Sequence, residues 1–396
     1  MSEPGSQAED FFRQGVAHER AGRMAEARAA YERTVALVPG HLQALNNLGT
    51  LLDEAGESRA AEARYRAAIA AHPKAPEPWV NLGNGLRAQG RYNDARGAFQ
   101  EALARRGDLA EAHWNLALVD LAAGRFAEGW NHYRFRPTAD RSRPPPTLAD
   151  GTLTLVAEQG LGDQLFFLRF VPALIARGVT VGLRLDPRLT AMVGRWQDLP
   201  PVGDETLSIA DVPYLLKASD CAPAILLTPL PERMTAMRAL LAAAGPPPHV
   251  GVTWRAGERG QGALFKEAPI ESLGKALKGV SATLIDLQRA PAEGEHKSFA
   301  RGADSPVADF SPCNNDLEDM LALMSLLDDY VGVSNTNMHL RASVGRNARV
   351  LVAHPPEYRW MEEGTSPWFP GFTLYRAAAG NDWNEALTQL RADIVS

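Results

Sequence analysis

The chain has 396 residues, is 45% hydrophobic and 22% charged, and carries a formal net charge of −6. That length exceeds one ordinary core, so two or three domains are expected, and the acidic balance argues against a nucleic-acid partner. No apolar run is long enough to span a bilayer, no basic-then-apolar leader follows Met1-Ser2-Glu3, and the widely spaced Cys221 and Cys313 make neither a disulfide framework nor a metal cluster; a cytoplasmic, reducing setting is the expectation.

The N-terminal third is repetitive. Small residues at Gly15, Gly49, Gly83 and Ala117 recur every 34 residues, as do Ala27, Ala61, Ala95 and Gly129. Gly22, Gly56, Gly90 and Gly124 keep the same step, and so do the aromatics Tyr31, Tyr65, Phe99 and Tyr133. Series in register at this period are the signature of tetratricopeptide (TPR) helix pairs. The spacing predicts about four units over residues 8–136, with the small residues letting paired helices approach, the aromatic filling the gap toward the next unit, and the third glycine ending a helix. No unit buries its apolar face alone, so the units stack as an α-solenoid. Asn47, Asn81 and Asn115 also step by 34. A side-chain amide both donates and accepts, so this ladder reads either as a rail for an extended peptide backbone or as ordinary repeat consensus. The aromatic and basic run 130–136 reads as a docking surface, and the proline-rich stretch 137–150 as a linker.

Beyond it the pattern becomes α/β. Thr152 to Glu158 reads as a strand, Gln159-Gly160-Leu161-Gly162-Asp163 as a glycine turn, 165–177 as a helix and Val179 to Leu185 as a strand. The alternation restarts with strands at His249–Trp254, Ala282–Leu287, Tyr330–Val333 and Arg349–Ala353, separated by helical segments. Two Rossmann-like lobes are expected, at 151–245 and 246–396, with ligands at the carboxyl ends of the strands. Asp328-Asp329 reads as a solvated helix-to-strand junction, and no metal site is expected.

Gln159 to Asp163 with Phe170-Val171-Pro172-Ala173-Leu174, Val250 to Trp254, Tyr330 to His339, and Trp360 with Ser366-Pro367-Trp368-Phe369-Pro370 resemble, in order and spacing, the lipopolysaccharide heptosyltransferases and bacterial TPR-linked glycosyltransferase-like proteins. The layout also resembles the O-GlcNAc transferases, in which an asparagine ladder holds the acceptor protein. The resemblance implies a GT-B pair of lobes, a nucleotide-sugar donor as substrate, and neither metal nor cofactor. It implies Asp163 as the base on the acceptor hydroxyl, where the residue type alone also allows a helix N-cap. It implies Lys266 on the donor pyrophosphate, with Arg255 the second candidate for that charge, although an exposed lysine is the plain alternative. Asn335, Thr336 and Asn337 open a helix whose amides would face a phosphate, and His339 matches the family histidine, as ligand or as structure. Ser334-Asn335 replaces the family's Asp-Thr, and the O-GlcNAc transferase His-Pro motif is absent. Two functions therefore stand: a metal-independent glycosyltransferase acting on a protein in the TPR groove, and a TPR scaffold carrying a degenerate transferase fold. A third has an enzyme acting on surface glycans.

Overall fold

The computed structural model describes residues 4–140, 152–196, 203, 206–256 and 266–395. The proline-rich stretch 141–150, most of the expected linker, lies outside them. The chain divides into two compact units, one of Met1–Asp120 with Phe135–Pro137, the other of Leu121–Arg134 with Thr138–Ser396.

The first unit contains helices α1 (Pro4–Arg20), α2 (Met24–Leu37), α3 (Leu42–Glu54), α4 (Ser58–Ala71), α5 (Glu77–Ala88), α6 (Tyr92–Arg105) and most of α7 (Ala110–Ala122). Gly22, Gly56 and Gly90 end the first helix of each pair with φ of 72°, 77° and 75°, the left-handed region that glycine enters without strain. A Cβ on Gly15 would lie 2.5 Å from the Tyr31 ring, on Gly49 2.4 Å from Tyr65, and on Gly83 2.4 Å from Phe99. The aromatics therefore pack back onto the small residue of their own unit. The reason is geometric: a helix face without a Cβ leaves a slot one ring deep. Tyr31 at the same time reaches the next unit, as expected of these aromatics, where its hydroxyl accepts from Asn47 Nδ2 at 3.1 Å. Gly83→Val should cost the first unit about 1–3 kcal/mol through overpacking, read as a lower unfolding midpoint in circular dichroism.

The second unit begins with α8 (Phe126–Tyr133) and continues through β1 (Thr152–Val156), α9 (Leu161–Leu168), α10 (Val171–Ile175), β2 (Thr180–Arg184), α11 (Pro187–Trp196), β3 (Thr206–Ser208), α12 (Val212–Leu215) and α13 (Pro231–Ala244). There follow β4 (His249–Thr253), α14 (Ile270–Ala276), β5 (Thr283–Asp286), α15 (Glu295–Ala303), β6 (Val307–Asp309), α16 (Leu317–Leu326), β7 (Asp329–Val333), α17 (Thr336–Ser343), β8 (Arg349–Val352), β9 (Thr373–Arg376) and α18 (Asn384–Val395). The single helix expected over 165–177 is two, because Pro172 cannot donate its amide to a continuous ladder.

The described strands pair in parallel, in a three-stranded sheet of order β2-β1-β3 and a six-stranded sheet of order β6-β5-β4-β7-β8-β9. Numbered from β4, the larger sheet reads 3-2-1-4-5-6, the doubly wound order whose switch point lies between its first and fourth strands. β4 is buried at every position, as a central parallel strand covered on both faces must be. Val250, Val252, Val331, Val333 and Leu351 join Leu273, Leu284 and Phe299 in its core. The smaller sheet has three strands among the described residues, against six in the larger.

The domain boundary drawn at 136 is crossed. α8 clusters with the second unit, where Trp130, 1% exposed, meets the rings of Phe167, Phe170, Tyr358 and Trp368 at 5.9–6.1 Å between centroids. Arg134 lies over Tyr214 at 4.3 Å. Phe135 instead stacks on His113 at 3.8 Å in the first unit.

Candidate functional site

A cleft of about 490 Å³ opens at the carboxyl ends of the strands of the second unit. Gly160, Gly162 and Asp163 reach it from the turn after β1, Arg255 from the end of β4, and Lys266 from the approach to α14. Asn335, Thr336, Asn337 and His339 reach it from the turn after β7 and the start of α17. Every candidate residue named from the sequence in the α/β region thus lines one cavity. Leu161, Arg188, Thr253, Arg289, Asn314 and Arg359 complete much of the wall.

Close packing of two helix N-termini shapes the floor. A Cβ on Gly162 would sit 2.9 Å from His339 Cδ2 and 3.5 Å from Thr336 Cα. Neither Gly160 nor Gly162 needs positive φ; what the second glycine supplies is room. His339 is 5% exposed and edge-on to Phe166 at 6.1 Å and Phe369 at 5.4 Å. Burial, and then the Arg359 charge, hold its pKa well below the usual value, so the ring is neutral.

The roles expected of several residues change once their partners are seen. Asp163 caps no helix: Gly160 is the N-cap residue of α9, and the Asp163 carboxylate receives the Arg359 guanidinium through Oδ1. Asn335 is itself the cap of α17. Its Oδ1 accepts from the amides of Asn337 at 3.0 Å and Met338 at 3.4 Å, and its Nδ2 donates to Thr253 Oγ1 at 2.9 Å. Two first-turn amides expected to face a phosphate are therefore already satisfied. Arg255 is 6% exposed and forks onto Glu295 at 3.2 Å through both Nε and Nη2. Burial works to raise the Glu295 pKa, and the Arg255 bonds overcome it. Arg255 is a wall of the cleft with its charge committed.

Lys266 pairs with Glu357, which also receives Arg359 on its other oxygen and Ser334 Oγ at 3.0 Å. Burial works to raise the Glu357 pKa, but Lys266 and Arg359 prevail and hold the carboxyl well below its usual range. This contribution to stability is present at neutral pH and is lost only as pH falls through that lowered value. Glu357 and Arg359 escaped the sequence reading although both sit just before the Trp360 motif. Arg289 escaped it too; it is exposed and, among the described residues, makes no ion pair.

One metal-capable group exists among the described residues, where none was expected: Asp286, His296 and Asp309, with ligand atoms within 4.8 Å of one another. His296 Nδ1 and Asp286 Oδ2 bond at 2.8 Å, and each aspartate receives a backbone amide, from Gln288 and from Ser311. These bonds account for the group, and none of the three lines the cleft.

In the first unit, Asn47 Nδ2 donates to Tyr31 Oη at 3.1 Å, and that hydroxyl donates to Glu19 at 2.6 Å. The first rung of the ladder thus links adjacent repeats. Asn115 is 7% exposed and Asn81 is half-buried. Phe99 has no hydroxyl with which to repeat the Asn47 arrangement at Asn115.

With this geometry in hand, the N-terminal helical region is a TPR array: residues 12–76 and 76–108 match tetratricopeptide repeat families. The chain is 26% identical over 326 residues to protein FlbA of Caulobacter vibrioides, a match that covers 71% of this chain and 54% of FlbA. The chain thus spans about half the length of that curated relative. Among solved structures, MamA aligns with a TM-score of 0.31 at 21% identity, covering 33% of this chain and 72% of that one. The first TPR of Spaghetti (RPAP3), bound to an HSP90 peptide, aligns with a TM-score of 0.29 at 17% identity, covering 30% and 94%. Among the described residues no helix is long and apolar enough to cross a membrane.

Proposed function

We propose that this chain is a metal-independent glycosyltransferase of GT-B type, moving a sugar from a nucleotide-sugar donor onto a protein held by the TPR array. The observation that supports it is the convergence of Asp163, Arg255, Lys266 and the Asn335–His339 turn on one cleft at the switch point of a doubly wound sheet. In this reading Asp163, 29% exposed and with Oδ2 unbonded among the described residues, takes the acceptor proton. Lys266 faces the diphosphate, whose departure a cation assists. Asn81 and Asn115 contact an extended segment of the acceptor.

A second reading, a scaffold with a degenerate transferase fold, is favoured by the pairing of both expected diphosphate cations with carboxylates. Calorimetry with uridine, guanosine, adenosine and cytidine diphosphates separates the two. Binding of at least one, undiminished by a chelator, is expected. Binding that vanishes on chelation would remove the metal-free assignment, and no binding at all would favour the scaffold.

A further inference from the structure

Arg359 is placed between two carboxylates that compete for it. Its Nη1 donates to Glu357 and its Nη2 to Asp163, while its buried Nε has no partner among the described residues. Rather than one complete fork, the guanidinium makes two half-pairs. It is held between the rings of Phe166, at 4.4 Å, and Tyr358, at 4.9 Å, so it can shift its donors but not leave. The two carboxylates differ in what they tolerate. Glu357 is 11% exposed at its side chain and Asp163 29%. The more buried one must keep a cation, because an unpaired buried charge is costly, whereas the other can be solvated from the cleft.

Glu357 at present has two cations, Lys266 and Arg359. Lys266 is the more exposed, 26% at its side chain, and lines the cleft directly. An entering diphosphate draws Lys266 away from Glu357. Arg359 must then serve Glu357 alone, and a guanidinium can meet a carboxylate with two parallel donors. The hydrogen bond given up in doing so is the one to Asp163.

Resting on the diphosphate reading above, we infer that Arg359 is a positioning residue that locks Asp163, and that donor binding at Lys266 releases it. The Asp163 carboxylate then loses its Arg359 counter-ion only once a donor is in place, so the acceptor hydroxyl is activated second. Asp163, Arg359, Glu357 and Lys266 form the line of contact across which the two events are coupled.

Coupling is reciprocal. If diphosphate binding releases Asp163, then abolishing the Asp163 charge must favour diphosphate binding. Asp163→Asn should bind the nucleoside diphosphate at least about five-fold tighter than wild type, within the usual range of coupling between sites. A mere loss of nearby negative charge predicts some tightening too, so the gain is measured again in two backgrounds. Arg359→Lys keeps the charge but offers a single ammonium that cannot span both carboxylates. Lys266→Ala removes the group through which the signal passes and, being at the cleft surface, keeps the fold testable if the arginine variant unfolds. In both backgrounds the gain from Asp163→Asn should fall below about two-fold, the shortfall being the interaction term of the cycle. Calorimetry on the full chain with the four diphosphates named above decides the matter. Wild-type binding with equal or weaker binding by Asp163→Asn overturns the lock while leaving the diphosphate site standing. A gain that persists in the Lys266→Ala background overturns it as well. Failure of wild type to bind any of the four removes both the lock and the site.

Discussion

Asp163→Asn should lower the rate of sugar transfer by about a hundredfold or more while donor affinity is not weakened. The amide keeps the side-chain volume and still presents an oxygen to Arg359, so the floor of the cleft is preserved. It has no basicity for the acceptor proton. Lys266→Ala should behave differently, losing diphosphate affinity and transfer together, because its charge acts on the donor and not on the acceptor. Single-turnover transfer, with the donor identified by binding, separates chemistry from affinity. Transfer by Asp163→Asn at the wild-type rate would leave Asp163 a structural partner of Arg359 and send the search for a base to other walls of the cleft.

Trp130→Ala should destabilise the second unit by about 3–5 kcal/mol, the range for emptying a buried tryptophan site. Trp130 is 1% exposed and lies edge-on to Phe167, Phe170, Tyr358 and Trp368, so no single neighbour can move to fill the gap. Phe167 belongs to α9, which begins at the Leu161–Asp163 floor, and Tyr358 precedes Arg359; the loss should therefore reach the cleft. Urea unfolding monitored by the near-ultraviolet signal of the aromatic cluster measures it. A cost below about 1 kcal/mol would mean that α8 is carried along by the second unit and not built into it.

What could be read in advance divides by physical origin. The repeats were legible because each imposes the same demand at the same interval: a residue without a side chain where a ring must enter, as at Gly49 and Tyr65. Four strands of the larger sheet, β4, β5, β7 and β8, were legible because parallel central strands are largely apolar and buried, as β4 is at every position, whereas the edge strands β6 and β9 were not read. The turn after β1 and the turn after β7 were named as site elements, and the cleft contains both. The partners were hidden. Arg359 and Asp163 lie 196 residues apart, and Lys266 and Glu357 lie 91 apart, so no local pattern joins them. The slot that each repeat aromatic enters on its own unit was not read in advance, because a period fixes which positions are equivalent, not which neighbour each one touches. The grouping of α8 with the second unit was hidden for a related reason. Repeat register assigns Trp130 and Tyr133 to a fourth unit, while their other ring partners are Phe167, Phe170, Tyr358 and Trp368.

The placement of α8 constrains how such a chain can change over generations. Repeat arrays ordinarily lengthen and shorten by whole units, since each unit depends only on its neighbours. Here the closing helix of the last unit is a component of another fold's core. Duplication or loss of 34 residues is neutral to the second unit only upstream of it.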